Sequence, residues 1–281
     1  MRPVYLPRTI AELWKCLTEN PRALLYAGGT DLLVNMRNGN IDPPALICLE
    51  RLAELKGVEE SPDTVRVGAC TTLADLLYHP LMQKHFPVLI KSLQVLGSPL
   101  IRQMGTIGGN ICNASPAGDT LPPLYVLQAE VELKSAGARR TLPIAEFICG
   151  LRQTKLQPGE IVSAIILQKS PEYNIHHFEK VGLRKSLACS IVSLAALLNV
   201  SPEGIIESAR LAWGSIGPAV VTSKACEELL IGKKLNAATL ATAAAKIRQE
   251  VSPIDDVRAD AAYRRDVCGN LLLRLAKEAT S

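Results

Sequence analysis

The sequence predicts an α+β fold in three consecutive segments, residues 1–55, 56–170 and 171–281. Near the N-terminus, short apolar runs alternate with capped helical stretches, as in a small α/β unit. In the middle, Glu130-Val131-Glu132-Leu133 alternates polar and apolar residues, and Arg139–Leu142 returns as its hairpin partner. Beyond Ser170-Pro171-Glu172 a block of strands gives way to a block of helices, the pattern of a separate α+β domain.

The elements follow in order. Thr9 with Glu12 three residues later forms a capping box that starts a helix running to about Leu17, and Pro21 stops it. Ala23–Tyr26 is a short strand leading into Ala27-Gly28-Gly29-Thr30-Asp31. Leu32–Met36 is helical, Asn38-Gly39-Asn40 turns, and Ala45–Leu49 is a further apolar strand. Val65–Ala69 is a strand, Thr72 caps a helix over Leu73–Tyr78, and Pro87–Leu96 has helical spacing up to Gly97. The hairpin turns across Ser135–Ala138, Pro143–Ile148 is a short helix and Glu160–Leu167 a strand. The last segment contributes strands at Ile175–Val181, Ile191–Val200 and Ile205–Gly214, then helices over Ser223–Ile231, Ala237–Val251 and Ala259–Ala276.

Composition narrows the function classes. A net charge of +4, with Lys and Arg scattered, offers no basic stripe for nucleic acid. No uninterrupted apolar run reaches the ~18 residues of a membrane span, and Met1–Tyr5 opens without a signal-peptide core, so a cytoplasmic address is expected. The eight cysteines form no CxxC pair and no cluster with histidine, which leaves zinc ribbons and local iron–sulfur ligation unsupported. Cys48 and Cys189, each in an apolar neighbourhood, exemplify the expected buried thiols. His176 and His177, adjacent on a strand, point to opposite faces and do not suit one metal. A GxGxxG after a strand, a P-loop and a GxSxG elbow are all missing.

Two glycine-rich segments remain. In Tyr26–Leu32 a strand feeds two adjacent glycines, and a hydroxyl residue then opens a helix. Glycine permits positive φ and close approach of a ligand to the backbone, and the amides that follow suit a phosphate. Gly105–Ile111 repeats that logic as a second loop. Two anion-receptive turns on one chain point to a dinucleotide.

These motifs, with Ser115-Pro116-Ala117-Gly118-Asp119-Thr120-Leu121-Pro122-Pro123-Leu124 and the run Phe178–Lys185, resemble the FAD-binding subunits of the molybdenum hydroxylases. That family includes the flavin subunits of bacterial xanthine dehydrogenase and aerobic carbon monoxide dehydrogenase. The resemblance covers essentially the whole chain in order. It implies a vanillyl-alcohol-oxidase-type FAD-binding fold of two α/β subdomains, followed by a C-terminal α+β domain.

It also implies a site. Ala27, Gly28, Gly29, Thr30, Asp31 and Leu32 would hold the pyrophosphate of a non-covalent FAD. Thr106, Gly108, Gly109 and Asn110 would line its other side. Ser115 and Asp119 would reach sugar or ribityl hydroxyls, with Asp119 as an ionised acceptor. Leu100 and Ile101 are expected on the flavin face, and Lys180 and Arg184 near the isoalloxazine, where a cation stabilises the reduced flavin. The implied partners are a molybdopterin-binding large subunit and a 2Fe–2S small subunit, with NAD⁺ or another molecule as electron acceptor. No catalytic acid or base and no metal ligand is expected on this chain. Where many relatives carry Gln-Ile-Arg-Asn this sequence has Leu100-Ile101-Arg102-Gln103, and Ala188-Cys189-Ser190 replaces a usual acidic residue. A self-contained FAD oxidoreductase and a flavin-free assembly subunit are the alternative readings.

Overall fold

The computed structural model describes residues 2–184 and 187–280. The chain opens with β1 (Val4–Tyr5), α1 (Ile10–Glu19), β2 (Leu24–Tyr26), α2 (Leu32–Arg37) and β3 (Leu46–Cys48). The three strands form a parallel sheet in the order β1–β3–β2. Thr9 caps α1 as expected, its hydroxyl accepting from the Glu12 amide at 3.2 Å. The reciprocal bond runs to Glu12 from the amide of Arg8, one residue before the cap, at 2.7 Å. Leu13 on the inner face of α1 packs with Ile47, Leu49, Leu52 and Leu55.

The middle of the chain adds β4 (Val58–Glu60), β5 (Thr64–Gly68), α3 (Leu73–Tyr78), α4 (Pro80–His85), α5 (Pro87–Val95), α6 (Pro99–Met104), α7 (Ile107–Asn113) and α8 (Leu121–Val126). It continues with β6 (Glu130–Lys134), β7 (Arg139–Pro143), α9 (Ile144–Phe147), the small hairpin β8 (Ile148–Gly150) and β9 (Gln153–Thr154), and β10 (Ile161–Gln168). Five of these strands form an antiparallel sheet in the order β4–β5–β10–β6–β7. The expected β6–β7 hairpin is present, with Ser135 N donating to Ala138 O at 2.9 Å.

Glu132 sits 1% exposed in that sheet, accepting hydrogen bonds from Arg66 at 2.9 Å and Ser163 at 2.6 Å, with the Arg139 guanidinium ion-paired at 2.5 Å. Burial alone pushes its carboxyl up. Hydrogen bonds from Arg66 and Ser163 and the charges of both arginines outweigh it and hold the group below 4.5. A carboxylate with a lowered folded-state pKa adds stability above its unfolded pKa and loses it as pH falls through the folded value. The parent should therefore lose thermal stability on acidification below the ordinary carboxylate range. Glu132→Gln should start about 1.5–3 kcal/mol lower at neutral pH and show a flatter acid limb in melts recorded across pH. A parallel shift of both curves would contradict this.

The remainder forms β11 (Ile175–Val181), β12 (Val192–Val200), β13 (Ile206–Gly214), β14 (Val221–Thr222), α10 (Lys224–Leu230), α11 (Ala237–Glu250) and α12 (Ala261–Leu273). The strands make an antiparallel meander in sequence order. Its core joins Leu194, Leu198, Leu211 and Trp213 of the sheet to Leu240, Ile247, Val267 and Leu271 of the helices. The Trp213 indole donates to Cys268 O at 3.1 Å, so its polar edge is satisfied inside that core.

Two compact units result, and they interleave along the chain. The first runs through Leu81, resumes over Ser98–Ala114 and closes with Ala129–Gln168. The second comprises Met82–Gly97, Ser115–Gln128 and the chain from Lys169 onward. Within the second unit, α5 packs on β11 and β12, α8 on β12 and β13, and α12 on β12. This explains why Val192–Leu198 is buried without alternation: the strand is covered on both faces.

Candidate functional site

In the first unit, β2 delivers Ala27–Asp31 as a turn at the carboxyl end of a parallel strand, and α2 begins at Leu32. Gly29 has φ +68°, the left-handed region that glycine enters without steric cost. Gly28 is required for another reason: a Cβ there would overlap the carbonyl of Met104, at the end of α6. Leu33 N is the amide that bonds back to Gly29 O, at 3.0 Å. The amides ahead of it belong to the opening turn, which has no intrahelical acceptors.

The second glycine segment is not the loop expected from its sequence. Ile107–Asn113 is helical, and both Gly108 and Gly109 lie inside its first turn. Its opening amides are already used. Ile107 N bonds Thr71 O at 3.1 Å, Gly108 N bonds Ala69 O at 2.8 Å, and Asn110 N bonds Thr106 O at 3.0 Å. Gly109 N bonds the capping hydroxyl of Thr106 at 3.1 Å. This segment is therefore no backbone anion cradle of the same kind as the first. Gly108 is glycine because a Cβ would press on Ala69 at 2.6 Å, whereas one on Gly109 would meet only Thr106 Oγ1, at 3.0 Å. Gly109 is exposed and Asn110 half-buried. Leu100 and Ile101, on α6, are 79% and 41% exposed, as surface-facing apolar groups rather than core.

Sequence reasoning missed a third contributor to this region. Asp31 accepts from Asn35 Nδ2 at 2.9 Å and from Asn113 Nδ2 at 3.3 Å. Arg152, at the tip of the β8–β9 hairpin, donates to Asn113 Oδ1 at 3.1 Å and lies 3.7 Å from Asp31 Oδ2. Arg152 is 39 residues from Asn113, and only tertiary structure brings them together.

In the second unit, Asp119 is 6% exposed. Its Oδ2 accepts from Lys180 Nζ at 2.6 Å and its Oδ1 from Ser190 Oγ at 2.6 Å, while Lys180 also donates to Ala188 O at 3.1 Å. Burial raises the Asp119 carboxyl above its ordinary range, against the opposing charge and hydrogen bond of Lys180 and the hydrogen bond of Ser190. Asp119 and Lys180, expected in separate roles, are therefore one buried ion pair. Ser115 is half-buried, and its carbonyl accepts from Gly118 N at 2.8 Å. Arg184 is exposed, with Nη2 donating to Leu187 O at 2.6 Å. Lys185, in the matched run, lies outside the described residues.

The remaining titratable groups have other partners. His176 Nε2 pairs with Tyr173 O at 3.0 Å and His177 Nδ1 with Glu278 at 2.9 Å, so the two imidazoles do not converge. Among the described residues no group of His, Cys, Asp or Glu could hold a metal ion. No helix among them is long and apolar enough to cross a membrane. Cys48, Cys70, Cys226 and Cys268 are buried, but Cys112, Cys149 and Cys189 are exposed, so apolar neighbours in sequence misplace Cys189.

A family model described as the FAD binding domain in molybdopterin dehydrogenase matches residues 1–169. Another, the CO dehydrogenase flavoprotein C-terminal domain, matches residues 177–279. The putative xanthine dehydrogenase FAD-binding subunit XdhB of Escherichia coli (strain K12) is 29% identical over 276 residues, 97% of this chain and 94% of the relative. The glyceraldehyde dehydrogenase medium chain of Sulfolobus acidocaldarius is 30% identical over 270 residues, 96% and 95% of the two chains. Carbon monoxide dehydrogenase from Hydrogenophaga pseudoflava has the same fold, with a TM-score of 0.93 at 27% identity over 99% of this chain and 98% of that one. With mixed helices and strands in both matched regions, this chain belongs to the FAD-binding medium subunits of the molybdenum hydroxylases and is a flavin-dependent oxidoreductase subunit.

Proposed function

We propose that the chain is the electron-transfer flavoprotein of a three-part molybdenum hydroxylase. It accepts electrons from a 2Fe–2S small subunit, itself fed by a molybdopterin-binding large subunit, and hands them to NAD⁺ or another acceptor. The names of its relatives, FAD-binding subunit and medium chain, support a place in a multi-subunit enzyme. The cytoplasm is the proposed location, in keeping with eight unpaired cysteines.

The observation that carries the cofactor site is the turn Ala27–Asp31. Gly29 holds its left-handed φ there, and a Cβ at Gly109 would come within 3.0 Å of Thr106 Oγ1, so the bare residue keeps that capping contact uncrowded. These residues fit a diphosphate approaching backbone. Ala27 to Leu32 hold it, and Thr106, Gly109 and Asn110 form the neighbouring wall, with Gly108 letting that helix lie close against Ala69. Leu100 and Ile101 offer apolar surface to the flavin ring. In the second unit the proposed cofactor residues are Ser115, Asp119, Lys180 and Arg184, with Asp119 and Lys180 acting as a pair. The cofactor fold is of the vanillyl-alcohol-oxidase type, with subdomains 1–55 and 56–170 and a C-terminal domain from 171. FAD supplies the redox chemistry when bound, and the protein supplies binding and orientation.

The purified chain should carry yellow flavin with absorbance near ~370 and ~450 nm, and acid precipitation should release it to the supernatant. Flavin retained in the pellet would contradict a non-covalent site. A colourless chain that takes up no added FAD would contradict the cofactor assignment.

A further inference from the structure

We propose that Arg152 is a further cofactor-binding residue, whose guanidinium binds the diphosphate of FAD beside the Ala27–Asp31 turn. The inference rests on the reading of that turn as the diphosphate site. The β8–β9 hairpin that carries Arg152 is fastened to the end of α7, with Arg152 N donating to Ala114 O at 3.2 Å. Both residues hold left-handed backbone, Ala114 at φ 44° and Arg152 at φ 53°. Non-glycine residues adopt that conformation at a steric cost, so the surrounding structure holds the arginine in place.

From there the side chain reaches Asn113 at 3.1 Å, and Asn113 reaches Asp31 at 3.3 Å. Hairpin, helix end and glycine turn are thereby joined through one cation. The charge balance gives that cation a task. Asp31 is an anion at the edge of the turn, and a diphosphate brought beside it adds further negative charge. The amides of Ile107, Gly108, Gly109 and Asn110 cannot compensate, because each already has an acceptor. A guanidinium can, since its planar fork serves two oxygen acceptors at once. Arg152 retains 54% side-chain exposure, so it is free to share its donors between Asp31, Asn113 and a ligand.

The test is FAD titration by flavin fluorescence at low and high salt, with riboflavin, which lacks phosphate, as the second arm. Arg152→Gly removes the guanidinium at a φ that glycine accepts. It should weaken FAD binding about tenfold or more, as expected for loss of a charge-assisted hydrogen bond. It should also flatten the salt dependence and leave riboflavin affinity unchanged. Arg152→Lys should recover part of the loss, while Arg152→Gln, which can keep the bond to Asn113 without the charge, should not. If the glycine variant melts early, the Lys and Gln variants decide alone. Equal FAD affinities for parent, Lys and Gln variants would overturn the proposal while leaving the turn as the cofactor site. A parent that binds riboflavin as tightly as FAD would instead overturn the diphosphate reading of the turn, and this inference with it.

Discussion

Lys180→Met is expected to destabilise the second unit by about 3–5 kcal/mol, the cost of stranding one member of a buried ion pair. Asp119 is 6% exposed, and among the described residues its side-chain donors are Lys180 and Ser190, each at 2.6 Å. With the ammonium gone, burial acts on the carboxyl with only the Ser190 hydrogen bond opposing it, so Asp119 should take up a proton at much higher pH than before. The variant should therefore recover stability on mild acidification, opposite in sign to the acid loss expected around Glu132. Asp119→Asn combined with Lys180→Met removes both charges and should restore most of the deficit, because an uncharged pair no longer bears the desolvation cost. Chemical denaturation of the parent, the Lys180→Met and Asp119→Asn single variants and the double variant across pH measures this. Additive losses in the double variant would show that the two side chains do not act as a pair.

The second large effect separates two glycines that look equivalent in the sequence. Gly28→Ala should prevent the first unit from folding correctly, since its Cβ would overlap the Met104 carbonyl and neither backbone can yield cheaply. Gly109→Ala sits in a helical turn, where alanine is favoured over glycine by about 1 kcal/mol, offset by close contact with Thr106 Oγ1. Its melting temperature should stay near that of the parent while FAD affinity falls. Gly109→Val should abolish binding with the fold retained. Circular dichroism melts beside FAD titrations check the contrast. A Gly109→Val protein that binds FAD like the parent would remove that position from the site.

Much of the fold was legible because local chemistry and tertiary structure agree. Thr9 and Thr72 cap their helices with the amides three residues on, and Glu130–Leu133 pairs with Arg140–Pro143 in the expected hairpin, although Glu132 is buried with its apolar neighbours. The second glycine segment misleads because glycine is a poor helix former. It becomes a helix when Thr71 and Ala69 on a neighbouring segment accept its first amides. That is long-range information, and no window of sequence holds it. The same holds for β12, whose unbroken apolar run fits a strand covered on both faces without saying that α5, α8 and α12 provide the cover.

At the candidate site the backbone of Gly29 was legible because residue type dictates it, and the family was legible from its motifs. It was not legible where partners are distant in sequence. Asp119 reads as a free acceptor until the fold sets Lys180 and Ser190 against it, 61 and 71 residues away. Arg152 carries no local signal, because its left-handed backbone and its bond to Asn113, 39 residues away, appear only in the folded unit.

Anaerobic reduction of the FAD-loaded chain, followed near ~450 nm, tests the central claim most directly. Mixed alone with purines, aldehydes or carbon monoxide, the chain should keep its oxidised absorbance. Bleaching should begin only when the 2Fe–2S and molybdopterin-binding subunits are both added with the substrate that the large subunit oxidises. Rapid bleaching of the isolated chain by an organic substrate would contradict the subunit reading and identify a self-contained oxidoreductase.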